Sequence, residues 1–334
     1  MADKKIIAVV GATGAQGGGL VQAILNDPDG GFAVRAITRD PNSEKAQALA
    51  AQGTEVVQAD LKDVESLKRA FAGAYGAYLV TFFWDPDVQS GVKEKHQAQA
   101  LATAARGAGL QHIIWSTLED TRYFLKVGDT SMPWLEGGRF IVPHFDGKAE
   151  SDMYFAGLPV TYLRTSFYWD NFTTWFAPLK GDDGAYILSL PMGEAPLAGM
   201  AAEDIGKCAY GIFKEADKDT FGTYVGVVGE SLTLQDICAK LSEGLGVEVR
   251  YNAIEPSVFA GYGFPGAEDL ANMFQAYRDY ADGFEDNRDW FQSERFSPDL
   301  QDFDDWLAKN KATVAAAMKL PAPEPATPED EAAS

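Results

Sequence analysis

Residues 5–17 read KIIAVVGATGAQG, an apolar run from Ile6 to Val10 that passes straight into Gly11-Ala12-Thr13-Gly14-Ala15-Gln16-Gly17. A continuous apolar run without alternation suits a strand buried on both faces of a parallel sheet. In the G-x-x-G-x-x-G spacing that follows, Gly11 permits a tight strand exit. Gly14 lets the backbone approach a pyrophosphate without a Cβ in the way, and Gly17 allows close helix–strand packing. Leu20, Val21, Ile24 and Leu25 then repeat at helical spacing. The start of such a helix offers unpaired N–H groups and partial positive charge to a phosphate. The plain alternative is a turn that only needs positive φ; the strand–loop–helix context favours dinucleotide binding.

Asp27-Pro28-Asp29-Gly30-Gly31 stops the helix, and strand and helix patterns alternate from there. Strands are expected at Val34 to Thr38, Glu55 to Gln58, Tyr78 to Phe83, His112 to Ser116 and Val160 to Arg164. Helices are expected at Ala46 to Ala51, Asp63 to Phe71, Val92 to Ala108 and Asp146 to Phe155. Short connections between them imply right-handed crossovers and a doubly wound parallel sheet. Leu118 to Pro143, with Gly128, Pro133, Gly137 and Gly138, reads as a loop insertion at the site edge.

The second half loses this rhythm. Tyr186 to Leu190, Tyr224 to Val228 and Val247 to Tyr251 read as strands. Glu203 to Phe213, Thr233 to Leu241 and Glu268 to Tyr280 read as helices. The expected architecture is α/β: a Rossmann-type sheet over residues 1–165, to which later segments return, and a smaller α+β lobe over 166–320. Residues 321–334, PAPEPATPEDEAAS, read as a disordered acidic tail.

Among the 334 residues, Lys and Arg total 28 and Asp and Glu 49, a net charge of −21. That balance argues against binding duplex nucleic acid, which needs clustered Lys and Arg. Two cysteines, Cys208 and Cys238, are too few for a disulfide framework and fit a reducing compartment. No stretch resembles a membrane span or a signal peptide, so a cytoplasmic location, with the nucleus as a further site, is expected. His96, His112 and His144 form no metal-binding motif, and no G-x-S-x-G elbow is present.

The end of the second strand chooses between cofactors. An acidic residue there holds the free ribose of NAD, whereas an arginine accommodates the 2′-phosphate of NADP. Here Thr38-Arg39-Asp40 offers both, and Arg39 favours NADP. Asp60, after the third strand, is placed to accept from an adenine amine, with Leu61 beside it. Thr81-Phe82-Phe83 is placed as a wall by the adenosine ribose, although core packing explains either phenylalanine alone.

With these residues in place, the chain resembles the NmrA-like family of atypical short-chain dehydrogenases/reductases. The carrying segments are GATGAQGG (11–18), VRAITRDP (34–41), HFDGKAE (144–150), LSLPMGEAPLAGM (188–200) and FPGAEDLANMF (264–274). The resemblance spans about residues 4–310 and thins over 118–143. It implies a Rossmann domain, a smaller C-terminal lobe and a cleft between them that holds NADP(H). The cofactor contacts it implies are Gly11, Ala12, Thr13, Gly14, Ala15, Gln16, Arg39, Asp40, Pro41, Asn42, Ser43, Asp60, Leu61, Thr81, Phe82 and Phe83. Lys93, Lys148, Tyr168, Trp169, Asp170 and Asn171 complete the set.

Orthodox relatives use a Tyr-x-x-x-Lys pair and a serine. Here the pair is His144-x-x-x-Lys148, and Ser116 occupies the serine position. An imidazole can serve as a general acid near neutral pH. The alternative leaves Lys148 as a cofactor ligand and His144 as a helix-start residue without chemistry; Tyr123 and Tyr154 are stand-in acids that sequence does not place. Two functions follow. One is an NADP(H)-binding redox sensor that acts through conformation and a protein partner. The other is an NADPH-dependent oxidoreductase reducing a small carbonyl, quinone or alkene. A homodimer is left open.

Overall fold

The computed structural model describes residues 4–215 and 219–320; the tail expectation for 321–334 lies outside them. In chain order the first half contains β1 (Lys5–Val10), α1 (Ala15–Leu25), β2 (Phe32–Thr38), α2 (Glu44–Ala51), β3 (Glu55–Gln58), α3 (Val64–Phe71), β4 (Gly76–Leu79), α4 (Gly91–Ala108), β5 (His112–Thr117), α5 (Pro143–Phe155) and β6 (Val160–Arg164). β7 (Phe167–Tyr168), β8 (Leu179–Lys180), β9 (Tyr186–Leu190), β10 (Pro196–Met200), α6 (Ala202–Lys214), β11 (Tyr224–Gly226), β12 (Glu230–Thr233), α7 (Leu234–Leu245) and β13 (Val249–Ala253) follow. The chain closes with α8 (Pro256–Ala260), α9 (Ala267–Asp279), α10 (Ala281–Glu285), α11 (Trp290–Phe296) and α12 (Phe303–Ala317).

A seven-stranded sheet has the order β3-β2-β1-β4-β5-β6-β11, reading from one edge, and every adjacent pair is parallel. Alternate residues of β1 serve opposite faces. Ile7 and Val9 join Leu20, Val21 and Ile24 of α1 and Ile205, Ala209 and Ile212 of α6. Ala8 and Val10 join Leu67 and Phe71 of α3 and Leu101 and Ala105 of α4. Each fully buried Leu, Ile or Val side chain contributes about 1.5–3 kcal/mol by leaving water, which is what clamps both helical layers to the sheet. α1 and α6 approach closely because both carry glycine at the crossing: a Cβ on Gly206 would stand 2.0 Å from the Leu20 nitrogen.

Two three-stranded sheets, β12-β10-β7 and β13-β9-β8, build the C-terminal lobe. Its core gathers Phe167, Trp169, Phe172, Phe274, Phe303 and Trp306. No described helix is long and apolar enough to cross a membrane.

Three departures from the sequence reading bear on the site. The fourth strand is Gly76–Leu79 rather than Tyr78 to Phe83, because β1 pairs with it only at Ile7–Val9 before Gly11 turns away. Val80 to Phe83 therefore leave the sheet and cross its C-terminal edge. α5 begins at Pro143, whose fixed φ suits a first helical position. His144 thus lies inside the first turn. Gly147, costly within a helix, serves the α4–α5 crossing instead: a Cβ there would stand 2.8 Å from the Gly91 Cα. The short β10 and β12, and α10 to α12, have no counterpart in the sequence reading.

Candidate functional site

The strand order reverses between β1 and β4, and the crevice outside the strand ends at such a point is where open α/β sheets take ligands. A cleft of about 590 Å³ opens there. Gly11, at φ +69°, makes the strand exit. A Cβ on Gly17 would stand 2.4 Å from the Gly11 oxygen, so this loop and helix close up only with glycine. α1 has no side-chain cap and no acidic residue in its first turn, so its unpaired N–H groups face the cleft. That is the arrangement a pyrophosphate requires.

Of the residues singled out in the sequence, Gly11, Thr13, Gly14, Ala15, Gln16, Arg39, Asp40, Asp60, Leu61, Thr81, Phe82 and Tyr168 line this cleft together. Ala12 is buried beneath the loop. Pro41, Asn42 and Ser43 form the turn before α2 and do not line it: the Asn42 N–H donates to the Asp40 carboxylate at 2.9 Å, and Ser43 caps α2. Phe82 is 59% exposed, whereas Phe83 is buried against Trp84 and His144. Lys93 points along α4 to the Asp87 carbonyl, 3.1 Å away.

The 168–171 segment divides. Trp169 packs in the lobe core against Phe303 and Trp306. The Asp170 carboxylate accepts the Ala202 N–H at 2.8 Å, at the start of α6. Asn171 lies in the 3₁₀ turn Trp169–Thr173. Only Tyr168 reaches the cleft, where its hydroxyl accepts from the Gln16 amide, whose oxygen accepts from Tyr78. Ser116, 2% exposed, is joined to this relay through Tyr78. Burial pushes both phenols above their ordinary range, so the relay holds its protons and acts as a brace.

The sequence reading missed Asp85, Asp87, Lys62 and Gln97, all on the cleft wall. Arg39 pairs across the cleft with Asp85 at 2.5 Å, not with its neighbour Asp40, and its side chain remains 67% exposed. The Asp87 backbone N–H, and after it the Arg39 guanidinium, hold the Asp85 carboxyl below its usual value. Gln97 lies one turn beyond Lys93 on α4. Its Oε1 is buried without a partner among the described residues, an acceptor that a ribose hydroxyl would satisfy.

Beneath the Thr81 end, Lys148 donates to the Thr81 hydroxyl at 2.8 Å and pairs with the fully buried Glu94 at 3.2 Å. Thr81 in turn donates to Glu94 at 2.7 Å. Among the described residues, the remaining ammonium proton has only the Thr81 carbonyl, at 3.4 Å. One turn earlier, the His144 Nδ1 meets the Asp269 carboxylate of α9. A larger groove of about 950 Å³ lies outside α1 and α6. Its charged groups pair with one another, as Lys214 with Asp27 and Arg295 with Glu215.

The NmrA-like family model matches residues 3–307. A curated relative, the NmrA-like family domain-containing oxidoreductase FrzB of Cladobotryum sp, is 29% identical over 96% of this chain and 94% of its own length. Among solved structures, NmrA, a negative transcriptional regulator, matches with a TM-score of 0.77 at 24% identity, covering 95% of this chain and 99% of that one. Its NADP complex matches with a TM-score of 0.72 at 25% identity, covering 95% of each chain; NmrA has also been solved with NAD. By the extent of the family match and the sheet order that accompanies it, this chain belongs to the NmrA-like family.

Proposed function

We propose that the protein binds NADP(H) in this cleft and acts as an NADPH-dependent oxidoreductase on a small carbonyl, quinone or alkene. The observation that carries the reading is the uncapped α1 N-terminus opening into a cleft whose far wall includes Thr81, with Lys148 buried behind that residue and bonded to it. The solved NmrA–NADP complex and the naming of FrzB as an oxidoreductase support it. When bound, the reduced nicotinamide supplies a hydride. The loop Gly11 to Gln16 holds the pyrophosphate, Arg39 faces the 2′-phosphate, Gln97 accepts from a ribose hydroxyl, and Lys148 holds the ribose beside the reacting ring.

The regulatory reading keeps one supporting observation. Ser116, the group that would polarise a substrate carbonyl, is tied into the Tyr78 relay away from solvent. The two readings separate by turnover. NADPH consumption is followed at the nicotinamide absorbance with cinnamaldehyde, menadione and 4-nitrobenzaldehyde. Many turnovers per protein are expected with at least one; tight NADPH binding with none supports the regulator.

Two variants check the binding roles. Arg39→Ala should bring the NADPH and NADH affinities close together, since a tenfold preference is only about 1.4 kcal/mol, the scale of one charge-assisted contact. A preference retained in full would remove Arg39 from the 2′-phosphate. Lys148→Met should weaken NADPH binding by about 1.5–3 kcal/mol, the scale of a hydrogen bond to a charged group. It should also lower the melting temperature, because Glu94 is left buried and unpaired. Adding Glu94→Gln should restore the melting temperature but not the affinity. Unchanged affinity in both variants would show that Lys148 serves only Glu94.

A further inference from the structure

We infer that His144 is the proton donor of the reduction and that Asp269 is the residue that positions it. The inference rests on the oxidoreductase reading above and assigns the acid that reading lacks. The FPGAEDLANMF segment, distinctive in the sequence yet without a role in the cleft, explains itself here. Asn272 donates to the carbonyls of Pro133 and Ile141, at 2.9 and 2.7 Å, and so fixes the loop that leads into α5. Asp269 reaches the start of α5 itself. Its Oδ1 meets His144 Nδ1, and its Oδ2 accepts the His144 backbone N–H at 3.3 Å. Both side chains are buried.

A carboxylate can only accept, so the proton between them belongs to Nδ1. Nε2 is left for a substrate, and among the described residues no hydrogen bond reaches it. The ring is packed among Trp84, Phe83 and Phe145, with centroids 5.1, 5.7 and 4.8 Å away in tilted or edge-on contact. Trp84 in turn packs on Trp175, 5.1 Å away and 53% exposed. His144 stands one turn before Lys148 on the same stretch of helix and packs on Phe83, two residues beyond Thr81, the cleft residue that Lys148 holds.

A paired carboxylate does two things for an acid. It fixes the tautomer and stabilises the imidazolium before transfer. In the step, a hydride from the reduced nicotinamide forms the new C–H bond and the C=O π pair moves to oxygen. That oxygen takes the proton from His144 Nε2, and the N–H pair stays on nitrogen as a neutral imidazole protonated at Nδ1. The proton is restored from solvent.

Long-range ¹H–¹⁵N spectra of the cofactor-free protein test the geometry without turnover. Neutral His144 should carry its proton on Nδ1 in the wild type and on Nε2 in Asp269→Asn, whose carboxamide can donate to Nδ1. NADPH oxidation with cinnamaldehyde, menadione and 4-nitrobenzaldehyde tests the chemistry. His144→Gln should lower kcat about 10²–10⁴-fold, the usual span for a general acid, with NADPH affinity within about twofold of wild type. Asp269→Asn should lower kcat at least tenfold with little change in KM, and Asp269→Glu should recover part of it. If Asp269→Asn does not fold, His144→Gln and the wild-type spectrum still decide. Wild-type rates in His144→Gln, or an Nε2-protonated wild type, would overturn the dyad and leave the reductase standing. No turnover of any of the three by the wild type would overturn the reductase reading, and the proton donor with it.

Discussion

Gly14→Val should abolish NADP(H) binding, by a hundredfold or more in Kd, while the protein stays folded. Gly14 sits at the start of α1 with φ −93° and ψ −178°, extended backbone that valine adopts freely. An added Cβ would meet only the Gly11 oxygen, at 3.2 Å, a contact the loop can relieve by a few tenths of an ångström. The two γ-methyls are the obstacle, since they occupy the space over the uncapped first turn where a pyrophosphate must bring its oxygens to backbone N–H groups. A hundredfold loss is about 2.7 kcal/mol, the order of the charge-assisted hydrogen bonds displaced. Gly17→Val is the contrasting variant, because a Cβ there stands 2.4 Å from the Gly11 oxygen and the chain itself must move. Titration calorimetry with a thermal melt separates the two. Wild-type affinity in folded Gly14→Val would mean that the loop does not hold the phosphates.

Arg288→Met should cost about 3–5 kcal/mol of stability, the penalty for leaving one member of a buried ion pair alone. Arg288 and Glu119 are each 3% exposed. The guanidinium spans both Glu119 oxygens and also donates to the Thr165 carbonyl at 2.7 Å. It thereby ties the segment before α11 to the residues just past β5 and β6, at the C-terminal edge of the large sheet. Against a typical total of 5–15 kcal/mol, this single change should lower the melting temperature by several degrees or more. The double variant Glu119→Leu/Arg288→Met should recover most of the loss, since a buried pair replaced by apolar groups is often neutral. An unchanged melting temperature in Arg288→Met would show that Glu119 finds another partner.

The first half of the fold was legible because its signals are local. Apolar runs such as Ile6 to Val10 have no polar face to confuse them, and glycine or proline punctuates each helix. The lobe was less so. Pro196–Met200 carries Gly199 within a short strand, and β10 pairs antiparallel with one neighbour and parallel with the other. No single periodicity announces such a sheet.

Within the site, the glycine loop, Arg39, Asp60 and Thr81 were visible because each lies within two residues of a strand end. Trp169 and Asp170 likewise follow a strand, β7, yet the fold places them in the lobe core and against α6. Asp85 and Gln97 reach the cleft wall, and Asp269 reaches His144, from a loop and two helices far apart in sequence, and only packing places them there. For His144, the motif exposed the missing tyrosine but not the carboxylate 125 residues on that gives the imidazole its direction.

On the proposed function, the cleft between the β1 and β4 ends holds NADP(H). Calorimetry of the full chain with NADPH, NADP⁺, NADH and NAD⁺ addresses it directly. The expected result is one site per chain, with NADP(H) bound at least tenfold more tightly than NAD(H) and all binding lost in Gly14→Val. Failure of all four nucleotides to bind, or binding that survives in Gly14→Val, would contradict it.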